Sequence, residues 1–313
     1  MSSTLPAHDE GGTDEHIAAL EAQLAAQVER NRELEELLAG RPPRSAMPRF
    51  NSLDSLERGD EGMAQMQQVR YLELLKACLT RILFLNDEPG VDALERARAR
   101  EVRRIGNDFP PPADAETMIG MLRLDAVQMA VETVLDEGIP GDLLEAGVWR
   151  GGATILMRAV LAVHDVSDRQ VWVCDSFEGL PPPDAVNFPQ DIPEDLSAVE
   201  ELAVSQAQVR SNFARYDLLD DQVVFVEGWF KDTLATVPVE SLAVLRLDGD
   251  YYESTIQILE ALYDKVVPGG FVIVDDYGCI PACAQAVTDF RTRRGIDDEI
   301  HEIDWTGVYW RRS

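Results

Sequence analysis

Basic residues are scarce in this 313-residue chain: Lys and Arg number 28 against 57 Asp and Glu, a formal net charge of −29. So acidic a surface repels phosphate backbones and anionic membrane faces, and nucleic acid is not an expected partner. Long apolar runs are also missing; nothing approaches the roughly 20 residues that a spanning helix needs. The opening MSSTLPAHDEGGTDEH has neither the basic start nor the apolar centre of a secretory signal. No membrane association and a cytoplasmic location are therefore expected. Cysteine is rare: Cys78, Cys174, Cys279 and Cys283 form no C-x-x-C pair and lie in or beside apolar runs, which reads as reduced core thiols rather than disulfides or zinc ligands. His8, His16, His164 and His301 are scattered, which argues against a histidine metal cluster.

What is present divides along the chain. Residues 1–14 are small, polar and acidic, a composition that cannot offset the entropy of ordering, and a disordered tail is expected there. From 15 to 39 the spacing of Ile17, Leu20, Leu24, Gln27, Asn31, Leu34 and Leu38 fits a heptad, which predicts a short coiled-coil helix and a homo-oligomer; a solitary solvated helix is the alternative. Residues 40–64, opening on GRPPRSAMP, read as a linker. In VRYLELLKACLTRILF, apolar Tyr71, Leu72, Leu75, Leu79, Ile82 and Leu83 recur at helical period, and TMIGMLRLDAVQMAVETVLDEGI predicts a second helix stopped by Pro140 and Gly141.

Beyond Gly141 the pattern changes to short apolar runs alternating with helical segments: DLLEAGV, VWVCDSF, QVVFVEG, AVLRLDGD and GGFVIVDDY. Such runs separated by helices predict a doubly wound α/β fold with a mostly parallel sheet buried on both faces, preceded by an N-terminal helical extension. A polar insertion, Pro181 to Ser205, follows the second run and is either a lid or a surface excursion. The closing WTGVYWRR reads as an edge strand, its aromatics as sheet packing.

Ligands of such sheets bind beyond the carboxyl ends of the strands. The first run leads through Glu145, Gly147, Val148, Trp149, Arg150, Gly151 and Gly152 into a helix, a spacing that departs from the G-x-G-x-x-G of dinucleotide enzymes and disfavours NAD. The second ends in Asp175 and Ser176, where an acidic side chain accepts ribose hydroxyls, so an adenosine is the expected guest. Two later runs end in Asp248 and Asp250, and in Asp275 and Asp276. Carboxylates converging at neighbouring strand ends repel unless a hard divalent cation joins them, and magnesium suits oxygen ligands.

The stretches TMIGMLRLD, LLEAGVWRGGATILMRAVL, VWVCDSFEGLPPPD, VVFVEGWFKDTL, VLRLDGDYYEST, GGFVIVDDYG and DWTGVYWRR together resemble the macrocin O-methyltransferases, over residues 65–313. The resemblance implies a Rossmann-like class I methyltransferase that moves a methyl group from S-adenosylmethionine to a hydroxyl of a small molecule, with a sugar of a glycosylated natural product as the expected acceptor. It implies cofactor contacts at Thr117, Met118, Glu145, Gly147, Gly151, Asp175, Ser176, Gly228 and Trp229. It also implies Mg2+ ligands at Asp248, Asp275 and Asp276, with Asp248 as base. The chain departs from the family at Tyr251, where leucine is frequent. A catechol-type O-methyltransferase and a non-catalytic cofactor-binding scaffold remain the alternatives.

Overall fold

The computed structural model describes residues 60–85, 93–106 and 114–313. The expected tail over 1–14, the coiled coil over 15–39 and most of the linker over 40–64 lie outside the described residues. The end of that linker does not, because the first described helix, α1, runs Asp60–Leu79. It is followed by α2 (Ala93–Ile105), α3 (Gly120–Asp136), α4 (Gly152–Val163), α5 (Gln206–Arg215), α6 (Phe230–Thr233), α7 (Tyr252–Leu262) and α8 (Pro281–Arg294). Helix α2 lies outside the helical segments read from the sequence; ALERARAREVRRI is mostly charged, and Arg103 ties the helix down by donating to the Thr80 carbonyl at 3.2 Å.

The apolar runs form strands β1 (Asp142–Ala146), β2 (Val171–Asp175), β3 (Val223–Glu227), β4 (Leu242–Leu247) and β5 (Val266–Val274), all parallel, with β6 (His301–Glu302) and β7 (Val308–Arg311) completing one sheet. Its order is β3-β2-β1-β4-β5-β7-β6, so the direction of winding reverses between β1 and β4 and a crevice opens at their carboxyl ends. The expected edge strand at the C-terminus is corrected: β7 lies antiparallel between β5 and β6, and the two-residue β6 is the edge. A short edge leaves few unpaired backbone groups, and β7 in turn buries Trp310 completely.

Strand alternation distributes the core. Leu143, Val173, Val244 and Ile273 face one cluster, closed by Val127 and Val131 of α3, Ile155 of α4 and Phe213 of α5. Leu144, Trp172, Cys174, Leu245 and Val272 face the other, closed by Ile258 and Leu259 of α7 and by Val287 and Phe290 of α8. Each such buried side chain contributes about 1.5–3 kcal/mol. Two covered faces are why these strands are apolar throughout rather than alternating.

The polar insertion folds into two short 3-10 turns, Pro189–Glu194 and Glu200–Leu202. Fully buried Asp191 accepts the backbone N–H groups of Tyr252 at 2.6 Å and Glu253 at 3.0 Å. It thereby caps α7 from 61 residues away along the chain. The Tyr251 hydroxyl accepts the Leu196 N–H at 2.7 Å, and the Trp149 indole donates to the Glu201 carbonyl at 2.8 Å. Tyr251 is therefore an anchor of the insertion.

At the crevice, β1 and β4 approach so closely that a Cβ on Gly147 would lie 1.7 Å from the Asp248 carbonyl oxygen, and Gly147 has φ 87°. Gly147→Ala is therefore expected to lower stability by more than about 2 kcal/mol in urea unfolding; a wild-type midpoint would show that the strand ends part without cost. Asp191→Ala should cost about 1–2 kcal/mol as a lost cap and, with Tyr251→Phe, speed cleavage of the insertion by a glutamate-specific protease. Unchanged cleavage in both variants would mean that these two contacts do not hold the insertion.

Candidate functional site

A cavity of about 680 Å3 opens at the carboxyl ends of β1, β2, β4 and β5, a size within the roughly 300–1,000 Å3 of small-molecule sites. Thr117, Met118, Glu145, Gly147, Asp175, Ser176 and Trp229 line it, and so do Asp248, Asp275 and Asp276. Gly151 and Gly228 are not on its wall. A Cβ on Gly151 would come 2.8 Å from Val209 of α5, and one on Gly228 would come 2.8 Å from Thr233, so both shape turns behind the lining. The insertion contributes Pro181, Pro182, Asp184, Leu196 and Leu202 to the wall.

Thr117 and Met118 reach the cavity because their segment is clamped on three sides. The Gly152 N–H donates to the Glu116 carbonyl at 2.9 Å, the Glu116 N–H donates to the Leu79 carbonyl at 3.0 Å, and Arg150 donates to the Ala115 carbonyl at 2.9 Å. Asp175 fastens the two neighbouring turns together, accepting the Val148 N–H at 2.7 Å and the Phe177 N–H at 2.8 Å. Burial raises the proton affinity of Asp175 and these N–H groups lower it. A ribose contact would thus share a carboxylate already engaged. Ser176 donates to the Gly179 carbonyl at 2.7 Å, turning the chain into the insertion.

In the cavity floor the carboxylates are joined by two arginines, Arg123 and Arg246, which the acidic strand ends alone do not announce. Strand register sets Glu145 beside Arg246, and the period of two puts Arg246 on the same side as Asp248. Arg246 donates to Glu145, to Asp248 at 2.8 Å and to Asp275. Arg123 of α3 donates to the other oxygen of Asp275 and to the Gly106 carbonyl at 2.9 Å, and pairs with Asp304 at 3.1 Å. The signal was present in the sequence: AVLRLDGD carries one arginine inside an otherwise apolar strand, a residue that is almost never buried without partners.

Two observations bear on what the site can hold. Glu145 Oε2 is buried and accepts no hydrogen bond from the described residues, and burial pushes this carboxyl up to about 8 although Arg246 pulls it down. An ammonium group such as that of a methionine moiety would satisfy that oxygen. Second, Asp248, Asp275 and Asp276 each offer an oxygen within 4.8 Å of the others. Burial, then Asp250, Asp248 and Asp275, push Asp276 well above the usual carboxylate range; burial, then Asp275, raise Asp248. Arg123 and Arg246 face Glu145, Asp248, Asp275 and Asp304 between them, so the cluster stays acidic after both guanidiniums are counted. The donor set and its charge fit one hard divalent cation.

The fold is shared with known proteins. The chain is 51% identical over 248 residues to the mycinamicin III 3''-O-methyltransferase of Micromonospora griseorubida, covering 78% of this chain and 96% of that one. It is 51% identical over 246 residues to the 8-demethyl-8-(2,3-dimethoxy-alpha-L-rhamnosyl)-tetracenomycin-C 4'-O-methyltransferase of Streptomyces olivaceus, covering 78% of this chain and 92% of that one. Among solved structures, the O-methyltransferase NovP superposes with a TM-score of 0.73 at 48% identity, over 79% of this chain and 99% of its own. Residues 68–312 match the model of the macrocin-O-methyltransferase (TylF) family. With that match spanning the crevice and every strand around it, the chain belongs to the macrocin-O-methyltransferase family and is an S-adenosylmethionine-dependent O-methyltransferase.

Proposed function

We propose that the enzyme methylates a sugar hydroxyl of a glycosylated natural product, with Mg2+ held by Asp248, Asp275 and Asp276. The observation that carries this reading is the convergence of those three carboxylates on the cavity that Glu145, Asp175 and Trp229 also line. The acceptor class is supported by the tetracenomycin relative, whose name specifies a rhamnosyl-bearing substrate. In this reading Thr117, Met118, Glu145 and Gly147 surround the methionine end of the cofactor, with Gly151 shaping the turn. Asp175 and Ser176 meet its ribose, and Trp229, placed by the Gly228 turn, meets its adenine.

S-adenosylmethionine supplies an electrophilic sulfonium methyl, and a bound Mg2+ would supply Lewis acidity that makes a hydroxyl more acidic. The protein's task is to place the acceptor oxygen in line and take its proton. Asp248 lines the cavity and has a raised proton affinity, which suits a base. Asp248 would take the O–H proton of the acceptor, leaving its oxygen free to receive the methyl group, for which the cofactor would supply a neutral thioether as leaving group. Trp149, Phe230, Leu196 and Leu202 give the cavity apolar walls.

Deoxysugar glycosides and catechols, each incubated with labelled S-adenosylmethionine with and without chelator, test the reading. Glycoside methylation that is lost with chelator and restored by Mg2+ is expected. Transfer indifferent to chelator would remove the cation, preference for catechols would change the acceptor class, and cofactor binding without any transfer would point to a scaffold. Asp276→Ala is expected to cut kcat/KM at least about 100-fold with its circular dichroism unchanged; full activity in that variant is incompatible with a ligand role.

A further inference from the structure

Arg246 stands where the fold would otherwise put a sixth apolar residue. Strand β4 reads LAVLRL and is buried along its whole length, and Arg246 itself is 1% exposed. Buried ion pairs seldom add net stability over apolar residues of similar volume, since desolvation consumes most of the attraction. Stability alone therefore does not account for an arginine here, and its geometry points to another purpose. Its Nη1 contacts both Glu145 and Asp248 while its Nη2 contacts Asp275. Only a planar guanidinium fork spans three carboxylates in this manner; a lysine ammonium is a single point.

We propose that Arg246, supported by Arg123, is the positioning residue of the metal-ligand set, holding Asp248 and Asp275 at the separation and orientation that a single divalent cation requires. The proposal rests on the metal reading above. Without the fork, the partly buried Asp248 and the buried Asp275, at the ends of adjacent strands, would repel and splay. With it, each keeps coordination capacity, because a carboxylate has about four acceptor positions. Asp275 gives one oxygen to Arg246 and the other to Arg123. Arg123 is itself braced by the Gly106 carbonyl and by Asp304, and Thr306 donates to the Asp275 carbonyl at 2.9 Å. The same fork touches Glu145, so one side chain aligns the cofactor-facing carboxylate with the cation-facing pair.

The test uses Mn2+ as a paramagnetic probe titrated into the full-length protein without cofactor or acceptor, with free Mn2+ read by electron paramagnetic resonance. Arg246→Lys keeps the charge and loses the fork, and Mn2+ affinity is expected to fall about 10- to 100-fold, as for other partners that orient metal ligands. Circular dichroism and a cooperative melt identify folded protein. A purely structural arginine would lower the melting temperature and leave Mn2+ affinity within twofold of wild type, and that result overturns the proposal. Should Arg246→Lys not fold, Arg123→Lys asks the same of Asp275, with a fall of at least 10-fold expected and an unchanged affinity again overturning the role. A wild-type protein that takes up no Mn2+ sinks the metal reading and the positioning role together, whereas wild-type uptake with unaltered variants sinks the positioning role alone.

Discussion

Two guanidiniums buried under the carboxyl edge of a parallel sheet set the terms for everything around them. Arg246 at 1% exposure and Arg123 at 5% are tolerated only because carboxylates surround them. Those carboxylates are drawn from elements distant in the chain: Glu145 from β1, Asp248 after β4, Asp275 after β5 and Asp304 before β7. Each partner needs its strand in the right register, since a slip of one residue would turn its side chain to the opposite face. The charge network and the strand order therefore specify one another, and the cavity is their common product.

The same crowding explains the glycines. Gly147 has no room for a Cβ because the backbone of Asp248 lies against it, and Gly152 is pressed against Thr117 and Glu116. Both are used where chain meets chain; Gly147 also lines the cavity, whereas Gly152 stands behind it. Proteins concentrate such close approach and unusual φ at sites that must be held rigidly. Trp149 at φ 46° and Asp250 at φ 58° flank this crevice and fit that pattern.

Above the network, the insertion shows how a loop becomes a wall. It contains no long helix or strand, yet Asp191 and Tyr251 pin it to the start of α7 and Trp149 pins it to the β1 turn. Leu180, Pro181, Leu196 and Leu202 are thereby held over a floor of carboxylates. Apolar walls thus face a floor of carboxylates and guanidiniums.

The doubly wound class was legible in the sequence because strands buried on both faces must be apolar throughout and helices must alternate with them. The acidic strand ends were legible for a related reason: DGD and DDY follow such runs directly, and a strand's end is also an end of the sheet. Arg246 was visible as an anomaly inside β4, but no spacing rule says which carboxylates it meets. The inner place of β7, the retreat of Gly151 and Gly228 behind the wall, and the capping of α7 by Asp191 were beyond reach for one physical reason. Periodicity reports which face of an element is buried, whereas partners 29, 61 or 101 residues apart are chosen by strand order and register. The sequence by itself determined most of the elements and the chemistry at their ends; only the tertiary structure decided which of those ends share one buried pair of guanidiniums, because long-range pairing of charge in a low-dielectric interior has no local signature.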